Sequence, residues 1–365
     1  MHIDLIELKP HKTESRVWVS EVFQHAIRQF DGCLKSNTFP VFVVQGDEEY
    51  TRGIRGLNCE LFSYLNDAGY SFGLIHVMDE LYDHDLSIYN LDRCVLVFRN
   101  FFRPTGGAAP FLVDFVKSFF VPNRYSSCHR QYSGAKWLAY EFYLRFTHIF
   151  RKIDFMKRQY FPVLSRDKIH YFPLGYTDKF ALSRTFDSPS MANRKYKWSF
   201  CGNSFKTDRK LMLRCLSNIE PNFVFEYQGF MDERSLSGEE YWKVLSQSIF
   251  VPCSLGNLNI DTYRLFEVLE ARAIPIIMKS HAWQPYDYYT SLLGSHPMPT
   301  FSSWKDAKAF LLDLDMESTE RLSMEVSEWY VDFKSNLQLK VWESLAQISA
   351  DYLIPHDVDN LDSFC

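Results

Sequence analysis

Short apolar runs alternate with segments of helical spacing along most of the chain. Pro40-Val41-Phe42-Val43-Val44-Gln45-Gly46-Asp47 is a β-branched run that closes in a turn, the form of a buried parallel strand and its loop. Leu57–Ala68 places apolar residues at Leu57, Leu61, Tyr64 and Leu65, which predicts a helix stopped by Gly69. Ser71–Val77 and Cys94–Phe98 predict two further strands, the second ending at Arg99-Asn100. This β-α-β alternation predicts a layered α/β domain.

A second alternating set begins near residue 196. Trp198–Gly202, Phe223–Tyr227, Ile249–Pro252 and Ile274–Met278 read as strands. Lys206–Leu216, Gly238–Ser248 and Thr262–Ala271 read as the intervening helices, with Ser303–Leu312 and Glu317–Leu353 as helical C-terminal segments. Between the sets, Tyr171-Phe172-Pro173-Leu174-Gly175-Tyr176 and the Ser-, Asp- and Pro-containing stretch up to Arg194 form the best linker. The expected division is an N-terminal α/β domain over 1–178, a C-terminal one over 179–335, and a helix and tail over 336–365. Packing of that tail back on the N-terminal domain is one option. Two α/β domains facing across a cleft are the natural architecture, with ligands at the C-terminal ends of strands.

Composition narrows the function. The 365 residues favour two domains, and 46% hydrophobic with 23% charged residues is a folded balance. A net charge of −5 offers no basic field for a nucleic-acid backbone; the short clusters at Arg194–Lys197 and Lys206–Lys210 do not change that. The eight cysteines contain no CxxC pair, so they support neither a zinc site nor a thioredoxin-like motif; they read as small buried hydrophobes in a reducing compartment. Charges come too early in Met1–Glu7 for a signal peptide, and Phe111–Pro122 is too short and too interrupted to span a membrane. A cytoplasmic protein is expected, with a Golgi-lumenal one as the alternative if an N-terminal anchor precedes this sequence and peripheral membrane contact left open.

The chemistry concentrates in Asn259–Ile277. Asp261 or Thr262 is placed to cap a helix whose free N–H groups attract phosphate. Arg264 and Glu267, three apart, share one helical face. A guanidinium suits a diphosphate and a carboxylate accepts both hydroxyls of a ribose, but an ordinary ion pair fits the same spacing.

This run resembles the signature of exostosin-like glycosyltransferases (glycosyltransferase family 47), Ser/Thr-x-Arg-x-x-Glu-Ala-Leu before a Gly-x-x-Pro-Val-Ile strand. The match is Thr262-x-Arg264-x-x-Glu267-Val268-Leu269, then Ala273-Ile274-Pro275-Ile276-Ile277. It departs at Val268 and at Arg272-Ala273, neither of which removes a polar ligand. Upstream, Tyr241-x-x-x-Leu245-x-x-Ser248-x-Phe250-x-Pro252-x-x-x-Gly256 also fits, apart from the spacing before the glycine. A second block, Trp198-Ser199-Phe200-Cys201-Gly202-Asn203-Ser204 followed by Arg209, lies about 55 residues earlier in the expected order. Fainter likeness to the ribitol xylosyltransferase subgroup runs through Leu74–Glu80, Val97–Asn100 and Phe172–Tyr176.

The resemblance implies a GT-B fold of two Rossmann-like domains and an inverting sugar transfer that needs neither metal nor other cofactor. It implies a nucleotide-sugar donor, UDP-linked for choice, held by Gly202, Asn203, Arg209, Asp261, Thr262, Arg264 and Glu267. Inversion needs a base to deprotonate a glycan or glycoconjugate hydroxyl. Asp79 and Glu80 at a strand end are the first candidates and Asp47-Glu48-Glu49 the second, with helix capping as the plainer role. Arg99 and Asn100 are expected to hold the acceptor, or Arg99 to pair internally with Asp79 and Glu80. His76 reads as a core histidine. His281 and Trp283 fall in a cleft-facing loop, where Trp283 would stack on a ligand or anchor the loop. Asp313-Leu314-Asp315 lies in helical context and is not read as a metal site. The rival readings are a fucosyltransferase-like GT-B enzyme, whose Tyr-x-Thr-Glu-Lys run is not matched by Asp261–Arg264, and a non-catalytic subunit of the same fold that binds a sugar nucleotide or glycan. A dehydrogenase is disfavoured, because no GxGxxG follows any predicted strand.

Overall fold

The computed structural model describes residues 2–7, 15–30, 38–45, 59–77, 86–101, 108–120, 167–185, 188–204, 208–227, 235–256, 259–280 and 284–351. Its contacts divide the chain into two units. One holds the described residues of Met1–Gly107, Lys157–Leu174 and Lys334–Cys365, the other those of Ala108–Met156 and Gly175–Phe333.

The first unit is built on a five-stranded parallel sheet of β1 (His2–Glu7), β2 (Thr38–Gln45), β3 (Phe72–Val77), β4 (Cys94–Arg99) and β5 (Ile169–Tyr171), ordered as in the chain. Helices α1 (Arg16–Phe30) and α2 (Cys59–Asp67) connect its first strands. Parallel strands need such crossovers and bury both faces, which is why β2 to β4 read as unbroken apolar runs. The core gathers Phe42, Phe62, Phe72, Leu74 and Val97. Two elements escape the apolar pattern. β1 interleaves Asp4 and Glu7 with Ile3 and Leu5, and β5 has only three residues. The Tyr171–Tyr176 stretch is not an exposed linker. Phe172 and Tyr176 have no exposed surface, Phe172 packs on Trp18 and Phe23, and the Trp18 indole donates to the Pro173 carbonyl at 3.1 Å.

The second unit opens with α3 (Ala108–Phe120) and the short α4 (Asp178–Ala181). Its strands are β6 (Tyr196–Gly202), β7 (Asn222–Glu226), β8 (Ser248–Cys253), β9 (Ile274–Met278) and β10 (Thr300–Phe301). The intervening helices are α5 (Arg209–Leu216), α6 (Gly238–Ser246), α7 (Tyr263–Glu270) and α8 (Tyr288–Leu293), followed by α9 (Trp304–Asp313) and α10 (Met316–Asp351), whose residues up to Phe333 belong to this unit and the rest to the first. The strand order is β10-β9-β8-β6-β7, all parallel. The order therefore reverses at β6, whose neighbours are β7 on one side and β8 on the other. Open α/β sheets of this kind bind ligands beyond the strand C-termini at the reversal. Trp198, Phe200, Phe250, Ile274, Ile276 and Trp304 form the core beneath.

Candidate functional site

The reversal between β6 and β8 is lined by the residues singled out in the two sequence blocks. Gly202 closes β6 and Cys253 closes β8. Arg264 stands in the first turn of α7, and its guanidinium reaches back over the strand ends. It donates from Nη2 to the Cys201 carbonyl and from Nη1 to Ser254 Oγ at 3.4 Å. Arg209, the first residue of α5, donates to the carbonyls of Asn203 at 2.9 Å and Leu255 at 3.1 Å. Arg264 thus ties the end of β6, and Arg209 the segment that follows it, to the segment after β8. Both stack on one ring: the Arg264 and Arg209 Cζ atoms lie 4.6 and 6.0 Å from the Phe200 centroid.

Gly202 permits this convergence. A Cβ there would lie 2.7 Å from Arg264 Nη2 and 3.8 Å from Arg209 Nη1. Two guanidiniums thus converge in the N-terminal turns of two helices, where the macrodipole already disfavours cations. Every hydrogen-bond partner described for Arg264 is neutral, and no ion pair joins it to any described residue. Such an arrangement favours an anion in the crevice. The neighbouring thiols are not nucleophiles, because burial pushes both Cys201 and Cys253 up to about 12.

The segment leading into α7 is pinned from outside the sheet. Gln284 donates to Asn259 Oδ1 at 2.8 Å and accepts from the Ile260 amide at 2.8 Å, while the Tyr289 hydroxyl donates to the Ile260 carbonyl at 2.9 Å. Thr262 is the α7 N-cap by backbone geometry, with φ −143° and ψ 151°, yet its hydroxyl makes no capping bond and is buried without a partner. Asp261 is buried beside it.

Glu267 has partners of its own. It is 5% exposed, and its carboxylate accepts from Thr177 Oγ at 2.9 Å on one oxygen and from the Tyr241 hydroxyl at 2.9 Å on the other. The Arg264–Glu267 ion pair allowed by spacing is therefore not formed, since each side chain has partners from elements distant in sequence. Burial raises the Glu267 carboxyl above its ordinary value, against the two hydroxyl bonds and the Arg264 charge that lower it.

In the first unit, Arg99 ends β4 and donates to the Tyr89 hydroxyl at 2.6 Å, which also bonds His76 Nδ1. All three side chains are buried, in keeping with His76 as a core histidine, and Asn100 is buried next to Arg99. Asp79, Glu80, His281, Trp283 and the Asp47-Glu48-Glu49 run lie outside the described residues. Asp315 accepts from the Ser318 amide at the start of α10, and among the described residues no group of three or more His, Cys, Asp or Glu is placed to hold a metal. No helix among them is long and apolar enough to cross a membrane. Sequence reading missed Phe200, Ser254, Thr177 and Tyr241 as site residues. Tyr241 and Phe200 stand inside the quoted blocks, but nothing local shows what they face.

Residues 177–348 match the family described as the RXYLT1 C-terminal domain, a stretch that contains every described residue of this site. No curated protein matches the chain. Among solved structures, Anabaena Alr3699/HepE in complex with UDP and glucose aligns over 96% of this chain and 100% of its own, at 8% identity and a TM-score of 0.44. The same protein in complex with UDP-glucose aligns over 94% and 99%, at 8% identity and a TM-score of 0.43.

Proposed function

We propose that the second unit holds a nucleotide-sugar by its diphosphate and that the chain is an inverting, metal-independent glycosyltransferase acting on a glycan or glycoconjugate hydroxyl. The observation that carries this reading is the convergence of Arg264 and Arg209 on Gly202 at the strand-order reversal. A diphosphate leaving group needs positive charge that is already in place when the glycosidic bond breaks. Two guanidiniums held on one ring, beside the open N-termini of α5 and α7, supply it without a divalent cation. Gly202 lets the phosphates approach the backbone, Asn203 and Asp261 frame the entry, and Thr262 offers an unengaged hydroxyl. Glu267, one turn from Arg264 on α7, takes the ribose. The match of residues 177–348 to the RXYLT1 C-terminal domain supports the same class of activity. The base is assigned to Asp79 or Glu80, with Arg99 and Asn100 on the acceptor side and His281 and Trp283 beside the donor.

The test is a thermal-shift panel of UDP, GDP, CDP and their sugars, followed by turnover with the donor that stabilises most. Stabilisation by one nucleoside diphosphate, lost in Arg264→Ala, is the expected result, and stabilisation by none defeats the reading. Asp79→Asn or Glu80→Gln should slow turnover with donor affinity unchanged. A chain that binds a sugar nucleotide but turns over none would be the non-catalytic subunit.

A further inference from the structure

We infer that Tyr241 is a positioning residue for ribose recognition, acting through Glu267 together with Thr177; this rests on the donor-site reading above. The Thr177 hydroxyl accepts from the Phe180 amide at 3.4 Å as the N-cap of α4, so its only proton is free to go to Glu267, 2.9 Å away. Tyr241 likewise gives its only proton to the other carboxylate oxygen at 2.9 Å. The Thr177 amide adds a second, longer bond to the first oxygen at 3.5 Å, so the plane of the carboxylate is fixed and the oxygen bonded by Tyr241 keeps a second acceptor direction. The result is an oriented carboxylate with a strong acceptor site left on the oxygen that Tyr241 holds, placed to take a ribose hydroxyl.

The two hydroxyls are held by a rigid block. Helix α6 carries a capping box between Ser237 and Glu240. Its Gly238 lies so close to α4 that a Cβ would come 2.6 Å from the Lys179 carbonyl. Phe180 of α4 packs on both Tyr241 and Trp242, at ring-centroid distances of 6.2 and 5.3 Å, and the Trp242 indole donates to Thr185 at 2.9 Å. Helices α4 and α6 therefore present Thr177 and Tyr241 to α7 in fixed geometry. On α7, Glu267 is one turn from Arg264, which puts the ribose acceptor next to the diphosphate site. Removing the Tyr241 hydroxyl would release that oxygen and blur its free acceptor direction, with Arg264 left in place.

The experiment uses the full chain and three probes: the nucleoside diphosphate that stabilises it most, the 2′,3′-dideoxy counterpart, and inorganic pyrophosphate. Calorimetry on the wild type should show the diol form bound at least about tenfold more tightly than the dideoxy form, the worth of hydrogen bonds to a charged acceptor. In Tyr241→Phe that preference should fall several-fold, with pyrophosphate affinity unchanged. Thr177→Val should do the same and Thr177→Ser should restore the preference, which keeps the test open if Tyr241→Phe does not fold. A lowered melting temperature with the diol preference intact would make Tyr241 a structural strut and overturn the inference. So would a wild type that binds the diol and dideoxy forms equally. Failure of every nucleoside diphosphate to bind the wild type would instead overturn the donor-site reading, and this inference with it.

Discussion

The Arg264 guanidinium occupies the space that a side chain on Gly202 would need, with Nη2 2.7 Å from the position of a Cβ. The obstructing atom is the end of a flexible side chain, so Gly202→Ala can be relieved by moving Arg264. The Gly202 φ of 155° adds backbone strain of about 1–3 kcal/mol for a residue with a side chain. Gly202→Ala should therefore fold with a modestly lowered melting temperature and lose donor affinity out of proportion to that loss. Equal donor affinity in calorimetry would show that Arg264 is not held in place by the glycine.

Arg264 itself should tolerate no replacement. Its planar fork bridges the Cys201 carbonyl and Ser254 and stacks on Phe200, a set of contacts that an ammonium cannot reproduce. Hydrogen bonds to charged groups are worth about 1.5–3 kcal/mol, so Arg264→Ala should weaken nucleoside-diphosphate binding roughly 10- to 100-fold. Arg264→Lys should recover only part of it. A lysine variant with wild-type affinity would mean that only the charge matters.

The sequence made the site's parts legible but not their assembly. Gly202, Arg209 and Arg264 stood out because each sits where an apolar strand meets a helix, and those boundaries fell within a few residues of the observed ones. What joins them is the placement of β8 beside β6, which no local pattern encodes. The open choice over Arg264 and Glu267 had the same cause. Its answer lies with Cys201 and Thr177, 63 and 90 residues away in the chain. In the first unit the chain-ordered strands show no reversal among those described, so the topology singles out no crevice there. Segments with weak patterning went unread, most plainly β1, whose charges interrupt the apolar run, and the three-residue β5.

A second structural dependence lies behind Arg209. The preceding residue, Asp208, is fully buried and accepts from the Trp304 indole at 2.7 Å, and it makes no side-chain cap on α5. Trp304→Phe keeps the ring in the core and deletes that donor. The loss should cost about 1.5–3 kcal/mol, the range for a hydrogen bond to a charged group, and should loosen the start of α5 where Arg209 stands. Urea titration would measure the first effect and donor calorimetry the second. Unchanged stability would show that Asp208 is satisfied without the indole.

His296, in the segment between α8 and β10, packs against the Trp329 ring at 6.0 Å, and both its ring nitrogens are buried without a hydrogen-bond partner. Burial lowers its affinity for a proton below the ordinary 6.5, although the Asp287 charge pulls the other way. With the folded value depressed, the unfolded chain binds the proton more readily. The stability due to the neutral ring is therefore present above 6.5 and is lost as pH falls through that value towards the folded one. His296→Phe keeps a ring against Trp329 and removes the titration. The melting-temperature difference between wild type and His296→Phe should thus shift in favour of the variant as pH falls from 7.5 to 5. A difference that stays constant over that range would show that the histidine is protonated as easily in the folded chain as in the unfolded one.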